Sequence, residues 1–374
     1  MIRIVPVKTR ADLKAFVRLP WKLYTSDAHW VPPLILERLH TFSDKNPFFK
    51  HARWQCWLAL NGQNPVGRIS AQIDNLHQDR YGPGTGFFGL LEGEDNAQVF
   101  QALLGTAEEW LRGQGMTCVQ GPFNLSVNQE CGLLVEGFDT PPMVMMGHAL
   151  PYYGRILELY HYQKVQDLLA YQIDIHFKLP PGVTMFLNKA KGSMRIRPMR
   201  RSHFNEDLNL IKEIFEEAWS ENWGFLPFTN EEFSEIGQQL KFLVPSDFVQ
   251  IAEIDGQACA MLVAFPNIHE VMKDLNGRLI PWGWLKVLWG MKVRYPKTAR
   301  VALMGVRKPF QSTPMGAAMA YGMIEAVRGP GLRKGIQSVE LSWILESNKR
   351  MSHILESLGA KPYKVYRLYQ KALV

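Results

Sequence analysis

The chain has 374 residues, of which 47% are apolar and 21% charged, a composition typical of a globular protein that excludes a fibrous or disordered one. This length predicts two domains. The net charge of +7 is spread along the chain without a basic stripe, so we expect no nucleic-acid partner. No signal segment and no apolar run of membrane-spanning length is present, which predicts a cytoplasmic protein.

The four cysteines have spacings that match neither a zinc site nor a redox pair. We interpret them as small buried apolar residues. The sequence therefore predicts no metal. They are Cys56, Cys118, Cys131 and Cys259.

The chain contains a diverged internal repeat, and its first matches predict strands. Residues 3–6 (RIVP) recur as residues 195–198 (RIRP). Residues 57–68 then parallel residues 251–261, with Asn-Gly in the first copy and Asp-Gly in the second. These dipeptides between apolar runs predict a β-hairpin in each copy.

Later matches extend the repeat to the end of each copy. Residues 115–119 (GMTCV) resemble residues 335–339 (GIQSV), and each stretch opens a predicted strand. Ile-Leu-Glu at 156–158 and Tyr-Gln at 171–172 match 354–356 and 369–370 at one constant offset of 198. The chain is thus predicted to be two copies of one unit, at residues 1–178 and 190–374.

An insertion in copy one, residues 121–153, is rich in glycine, proline and polar side chains. We expect an ordered loop whose polar groups bind an acceptor substrate or hold the loop itself. The candidates for substrate binding are Asn124, Asn128, Glu130 and His148.

The second copy reads as strand, helix, hairpin, strand, helix, strand, helix, strand, which is a mixed α/β pattern. Its first helix is predicted over residues 207–219 from apolar residues at helical spacing. The last helix is predicted to start after Asn348 and to end at Gly359, because asparagine favours the N-cap and glycine the C-terminus.

An insertion in copy two, residues 279–294, places Trp282, Leu285, Trp289 and Val293 on one face of a predicted helix, with basic residues beside them. Such a face either packs against its own domain or contacts a membrane or an acyl chain. Peripheral membrane or acyl-chain contact is therefore one hypothesis for this segment.

Residues 301–318 predict a strand, a loop and a helix start with small residues. Successive N–H groups at a helix N-terminus form a site for phosphates, and glycine or alanine lets the ligand approach. The residues expected to bind such a cofactor are Met304, Val306, Gln311, Met315, Gly316 and Ala317. In copy one the offset of 220 places Asn96 opposite Gly316. The equivalent loop is acidic there and would repel a pyrophosphate, because it contains Glu92, Glu94 and Asp95.

The element order and residues 301–318 resemble the GNAT acyltransferase family, in a tandem arrangement of bacterial type. The resemblance implies two GNAT-like domains with a mixed sheet, α/β in class, and acetyl-CoA or a longer acyl-CoA as donor to a small-molecule amine. Gln311 and Gly316 fit the family's loop pattern, whereas Pro314 stands where the family usually has glycine. Asn348 corresponds to a position that often contacts the cofactor.

The resemblance also bears on the catalytic residues. Many members place a tyrosine acid four residues before the glycine that ends the last helix, and this chain has Leu355 there. The candidates for acid and base catalysis are then Glu346, His353 and Tyr366. The alternative hypothesis is a non-catalytic protein that binds acyl-CoA or a small ligand.

Overall fold

The computed structural model describes residues 1–190, 192–241 and 243–373. Strands of the first copy are β1 (Ile2–Pro6), β2 (Ala52–Asn61), β3 (Asn64–Asp74), β4 (Thr85–Gly93), β5 (Cys118–Gly121), β6 (Phe123–Asn124), β7 (Glu130–Cys131), β8 (Leu133–Glu136) and β9 (Gln163–Asp174). Its helices are α1 (Arg10–Leu23), α2 (Ile35–Thr41), α3 (Asn75–Tyr81), α4 (Ala97–Gly113) and α5 (Tyr152–Leu159).

The second half of the chain has a similar order of elements. After α6 (Pro181–Ala190), its strands are β10 (Arg195–Pro198), β11 (Val249–Ile254), β12 (Gln257–Pro266), β13 (Thr298–Val306), β14 (Ser338–Leu345) and β15 (Lys361–Ala372). Its helices are α7 (Phe204–Trp219), α8 (Asn230–Leu240), α9 (His269–Met272), α10 (Gly283–Lys292), α11 (Pro314–Arg333) and α12 (Lys349–Ser357). The mixed α/β class that the sequence predicts is confirmed.

The chain forms two compact units. Unit 1 comprises residues 1–169, residues 272–286 and the segment from Lys364 onward. Unit 2 comprises residues 170–271 and 287–363. Unit 1 therefore takes its last strand from the C-terminal end of the chain.

In unit 1 the strand order is β1-β2-β3-β4-β5, with β15 beside β5. Strands β4 and β5 run parallel, and β15 is antiparallel to β5 with Tyr369 opposite Gly121. Helix α4 packs on the sheet so closely that a Cβ at Gly67 of β3 would lie 2.8 Å from side-chain atoms of Val99 and Leu103. Glycine at 67 permits this approach.

In unit 2 the order is β10-β11-β12-β13-β14, followed by the end of β9. Strands β13 and β14 are parallel, whereas β10 to β13 are antiparallel. Helix α7 carries Asp207, whose carboxylate is buried and accepts hydrogen bonds from Arg197 at 2.8 and 3.0 Å. This ion pair joins the first strand of the unit to its first helix.

Both predicted hairpins are present, with different turns. In unit 2, Asp255 (φ 50°) and Gly256 (φ 78°) form the turn, as expected for a two-residue hairpin in which both positions need positive φ. In unit 1 the pairing of Asn61 with Asn64 makes Gly62 and Gln63 the turn residues, and of these two Gly62 has a positive φ of 64°. The hairpin turn of copy one lies one residue later than the Asn-Gly pattern predicts.

Candidate functional site

Strands β13 and β14 of unit 2 pair only over their first halves. Their register runs from Thr298 opposite Ser338 to Val301 opposite Leu341, although the strands continue to Val306 and Leu345. The backbone groups of residues 302–306 that face β14 are thus not used by that strand. We call the region between residues 302–306 and 342–345 the β13/β14 cleft.

The loop after β13 turns the chain into helix α11 through a short chain of hydrogen bonds. The side-chain amide of Gln311 donates to the carbonyl of Val306 at 2.9 Å, which ties the loop to the strand. Thr313 is the N-cap of α11, and its hydroxyl accepts from the N–H of Gly316 at 3.1 Å. A Cβ at Gly316 would lie 2.1 Å from the carbonyl oxygen of Phe310, so the loop requires glycine there.

The helix start retains donors that could hold an anion. Among the described residues, the N–H groups of Ser312 and Met315 have no acceptor. Arg350 donates to the Ser312 hydroxyl and brings a positive charge to the loop. Pro314 contributes no donor, so this helix start offers fewer N–H groups than a glycine-rich loop would.

The other residues predicted to bind the cofactor fall in two places. Met304 and Val306 lie on the part of β13 beyond its last pair with β14, and Met315 and Ala317 lie in the first turn of α11. Asn348 caps α12, since its side-chain oxygen accepts from the N–H of Met351 at 3.2 Å. Its capping role is thus present whether or not it also contacts a ligand.

A buried polar network that the sequence analysis missed stands where β13 and β14 separate. Arg300 and Glu340 are opposite each other in the register, and both side chains are almost fully buried. Ser342 links them, because Arg300 donates to its hydroxyl at 2.9 Å and that hydroxyl donates to Glu340 at 2.5 Å. Alternation of Glu340 and Ser342 with apolar residues in β14 is the signal that could have found this network.

The predicted acid and base candidates lie in different environments. Glu346 follows the end of β14, and His353 is exposed on α12. Tyr366 is fully buried on β15 in unit 1. Leu355, at the position where many GNAT members have tyrosine, is also fully buried among apolar side chains.

In unit 1 the corresponding strands β4 and β5 also pair only briefly, but the space beyond is filled. The carbonyl oxygen of Phe123 would lie 1.8 Å from a Cβ at Gly89 of β4. The side-chain oxygen of Asn124 accepts from the N–H of Leu90 at 2.8 Å. Residues of the 121–153 insertion therefore contact the part of β4 that corresponds to residues 302–306 of β13, which β14 does not pair with.

The helix start of unit 1 differs from the sequence alignment. Asn96 is the N-cap of α4, so it corresponds to the N-cap Thr313 and not to Gly316 as the offset of 220 suggested. Glu92 lies on β4, not in the loop, and accepts from the hydroxyls of Tyr24 at 2.8 Å and Tyr153 at 2.7 Å. The alignment was wrong because α4 has 17 residues and α11 has 20, so an offset taken after the two helices misplaces their starts by three residues.

Glu92 is the centre of a buried cluster in unit 1. Its carboxylate lies 3.6 Å from the guanidinium of Arg68. Burial raises the pKa of Glu92, while Arg68 and the two tyrosine hydroxyls oppose that effect. The signal in the sequence was a glutamate among the apolar residues of a strand.

Three of the four predicted acceptor residues lie near this cluster. Asn124 donates to Glu130 at 3.1 Å, and Arg38 also donates to Glu130, whose charge acts on Glu92. His148 packs against Tyr24 with ring centroids 5.7 Å apart. The backbone N–H of Asn128 donates to the hydroxyl of Ser126 at 3.1 Å, which stabilises the loop itself.

His148 is a buried imidazole of this cluster. Its side chain is 4% exposed, and Nε2 lies 2.8 Å from a carboxylate oxygen of Asp27. Burial lowers the pKa of His148, although Asp27 opposes the shift, so the ring is neutral near pH 7. Nε2 then carries the proton, and Nδ1, which has no partner among the described residues, is the basic nitrogen.

Comparison with models of known protein families finds no match. The chain is 48% identical to Protein YghO of Escherichia coli K12 over 365 residues, which cover 97% of this chain and 93% of that protein. It is 44% identical over 375 residues to a bacterial ceramide synthase of Caulobacter vibrioides, covering 100% of this chain and 98% of that protein.

Solved structures resemble the chain in fold at low sequence identity. A tandem GNAT protein from the clavulanic acid biosynthesis pathway matches with a TM-score of 0.59 at 11% identity, covering 100% of this chain and 99% of that one. A GCN5-related N-acetyltransferase from Sphaerobacter thermophilus matches with a TM-score of 0.55 at 15% identity, covering 100% and 96%. The tandem GNAT fold predicted from the sequence is confirmed.

Proposed function

We propose that this chain, which belongs to the family of Protein YghO and the bacterial ceramide synthase, transfers an acyl group from acyl-CoA to the amine of a long-chain amino alcohol. Family and fold both support an acyltransferase, as the sequence predicts. The acceptor class follows from the relative named as a ceramide synthase, because ceramide is the amide of a fatty acid and a long-chain amino alcohol.

The observation that carries the donor assignment is the β13/β14 cleft with the α11 N-terminus at its end. A strand edge with unused N–H and C=O groups can pair with an extended ligand that contains amides, as the pantetheine arm of CoA does. The amides of Ser312 and Met315, with Arg350 nearby, suit the pyrophosphate. These features all belong to unit 2.

The reaction requires positioning and two proton transfers. The amine attacks the thioester carbonyl, the C–N bond forms, and the C–S bond breaks. The amine proton passes to a base, and the thiolate of CoA takes a proton from an acid or from water. Glu346, His353 and Tyr366 are the proposed acid and base candidates, and the neutral His148 joins them as a proton acceptor.

The apolar cavity of unit 2, lined among others by Leu355, Ile324 and Val301, has a volume of about 40 Å³. A single water needs about 10–15 Å³ on the same measure, so roughly three would fill it. As it stands, this cavity is too small to hold a long acyl chain.

Titration of the full chain with acetyl-CoA, a long-chain acyl-CoA and free CoA tests the donor site by calorimetry. Gly316→Glu adds bulk and negative charge at the loop and should abolish binding. Gly105→Glu is the matched control, because Gly105 is exposed on α4 and has no atom within 4 Å of an added Cβ. Equal binding by both variants would reject the proposed loop.

Turnover is measured by release of free CoA thiol, with long-chain amino alcohols and short amines as acceptors. Wild type is compared with four variants: Glu346→Gln, His353→Gln, Tyr366→Phe and His148→Gln. Loss of the catalytic acid or base should lower turnover about 10²–10⁴-fold. Acyl-CoA binding with no turnover toward any amine would favour the non-catalytic hypothesis. The buried Leu355 at the position where many members have tyrosine is the observation that supports that alternative.

A further inference from the structure

The segment of residues 279–294 exposes an unusual amount of apolar surface. Seven of the twelve exposed large apolar side chains in the described part of the chain lie between Ile280 and Val293. Three of them are tryptophans: Trp282 is 70% exposed, Trp284 50% and Trp289 62%. Tryptophan is usually largely buried, so packing within the chain does not explain this cluster.

The segment also carries an uncompensated positive charge. Arg278, Lys286, Lys292 and Arg294 are exposed, and the sequence has no aspartate or glutamate from position 275 to position 300. Among the described residues, no acidic side chain pairs with any of these four. A positive surface that surrounds exposed tryptophans complements an anionic phospholipid surface.

The base of the segment is fixed, so its exposure is not that of a loose tail. The indole N–H of Trp21 donates to the side chain of Asn276 at 2.7 Å, and the N–H of Ile35 donates to the carbonyl of Gly277 at 3.0 Å. Within α10, Gly290 is the one buried residue of the helix, and an added Cβ there would lie 2.4 Å from Val271. The close contact at Gly290 leaves the opposite face of α10 exposed.

We infer that residues 279–294 dock the protein on the surface of an anionic phospholipid bilayer, with the tryptophan rings at headgroup depth and the basic side chains on lipid phosphates. This inference deepens the proposed function, on which its role in presenting a lipid amine rests. Helix α10 has ten residues and is about 15 Å long, half of the roughly 30 Å hydrocarbon thickness. This length suits a helix that lies in the interface plane. None of the described helices is long and apolar enough to cross a membrane.

Vesicle co-sedimentation of the full chain tests the docking. Wild type should bind vesicles of phosphatidylglycerol and phosphatidylethanolamine, bind phosphatidylcholine vesicles more weakly, and lose affinity as salt rises. The triple variant Trp282→Ala, Trp284→Ala, Trp289→Ala should bind at least about 100-fold more weakly, since each buried indole contributes roughly tenfold.

Two further variants separate the contribution of the basic side chains from that of exposed apolar surface in general. The triple variant Lys286→Gln, Lys292→Gln, Arg294→Gln should lose the preference for anionic lipid and most of the salt dependence. The control variant Leu36→Ala, Leu159→Ala, Met185→Ala changes side chains that are 52%, 59% and 61% exposed elsewhere and should bind like wild type. Thermal unfolding checks that every variant folds.

The outcomes distinguish docking from catalysis. Wild-type failure to bind anionic vesicles at low salt overturns the inference, as does full binding by the tryptophan variant. A wild-type dimer that the tryptophan substitutions dissociate, without vesicle binding, makes the surface a self-association interface instead. Vesicle binding without turnover on any acceptor would support the docking inference and reject the proposed function. Turnover without vesicle binding would support the proposed function and reject the docking inference.

Discussion

Replacing Gly316 by alanine tests the packing of the loop against helix α11. Alanine stabilises a helix relative to glycine by about 1 kcal/mol. At position 316, however, the added Cβ would lie 2.1 Å from the carbonyl oxygen of Phe310, where ordinary contacts begin near 3.4 Å, so the loop must move by about 1 Å. Overpacking of this kind costs about 1–3 kcal/mol, which cancels or exceeds the gain.

Gly105→Ala is the matched substitution, because nothing lies within 4 Å of its added Cβ on helix α4. We expect Gly105→Ala to be more stable than wild type by about 1 kcal/mol and Gly316→Ala to be less stable than Gly105→Ala by about 1–3 kcal/mol. Thermal and urea unfolding measure both values.

The same pair of variants probes the donor site. An acyl-CoA at a hundred times its Kd should stabilise wild type and Gly105→Ala by about 2.7 kcal/mol, and this stabilisation should be much smaller in Gly316→Ala. A Gly316→Ala protein as stable as Gly105→Ala, with an undiminished acyl-CoA shift, would refute the argument that the loop conformation depends on glycine.

Three further predictions concern buried charges. Although burial raises the pKa of Asp207, arginine hydrogen bonds outweigh it and lower the pKa from 3.8 to about 2, so the carboxylate stabilises the fold fully above about pH 5. Above pH 5, urea unfolding should show wild type to be more stable than Asp207→Asn by on the order of 2 kcal/mol. This difference in unfolding free energy should shrink as the pH falls from 5 toward 2, and a constant difference would contradict the argument. Glu92→Gln should cost about 3–5 kcal/mol in thermal unfolding by leaving Arg68 without its counter-charge, and Glu92→Gln with Arg68→Met should recover much of the loss. His148→Asn should lower turnover about 100-fold or more while the acyl-CoA-induced rise in Tm is retained, and unchanged turnover would exclude it as the base.

Local signals in the sequence were sufficient to predict much of the fold. Asn348 and Gly359 marked the ends of α12 because side-chain capping and positive φ are properties of single residues, and Gly359 has φ 89°. The turn at Asp255 could be predicted for the same reason. The strand and helix order around residues 301–318 then followed from hydrophobic periodicity.

Contacts between residues that are distant in the sequence could not be predicted from the sequence. Alternation with apolar residues marks Glu340 and Ser342 in the sequence, but their partner Arg300 follows only from the parallel register that places it opposite Glu340. Glu92 was interpreted as part of an acidic loop, because nothing in the sequence indicates that Tyr24 and Tyr153 donate to it. For residues 279–294 the sequence allowed two interpretations, an exposed helix and a buried one, because the same apolar stripe fits both.

Unit 1 is closed by a strand that is synthesised long after the rest of the unit. Residues 369–372 pair with β5, with Tyr369 opposite Gly121, a separation of 369 − 121 = 248 positions along the chain. At roughly 5–20 residues per second, the ribosome releases most of unit 1 well before this strand is available. Until then β5 has a free edge, which is a site for pairing with other chains. A fragment cut near residue 178 would keep that free edge permanently, so the two copies of the repeat are not independent modules in biosynthesis.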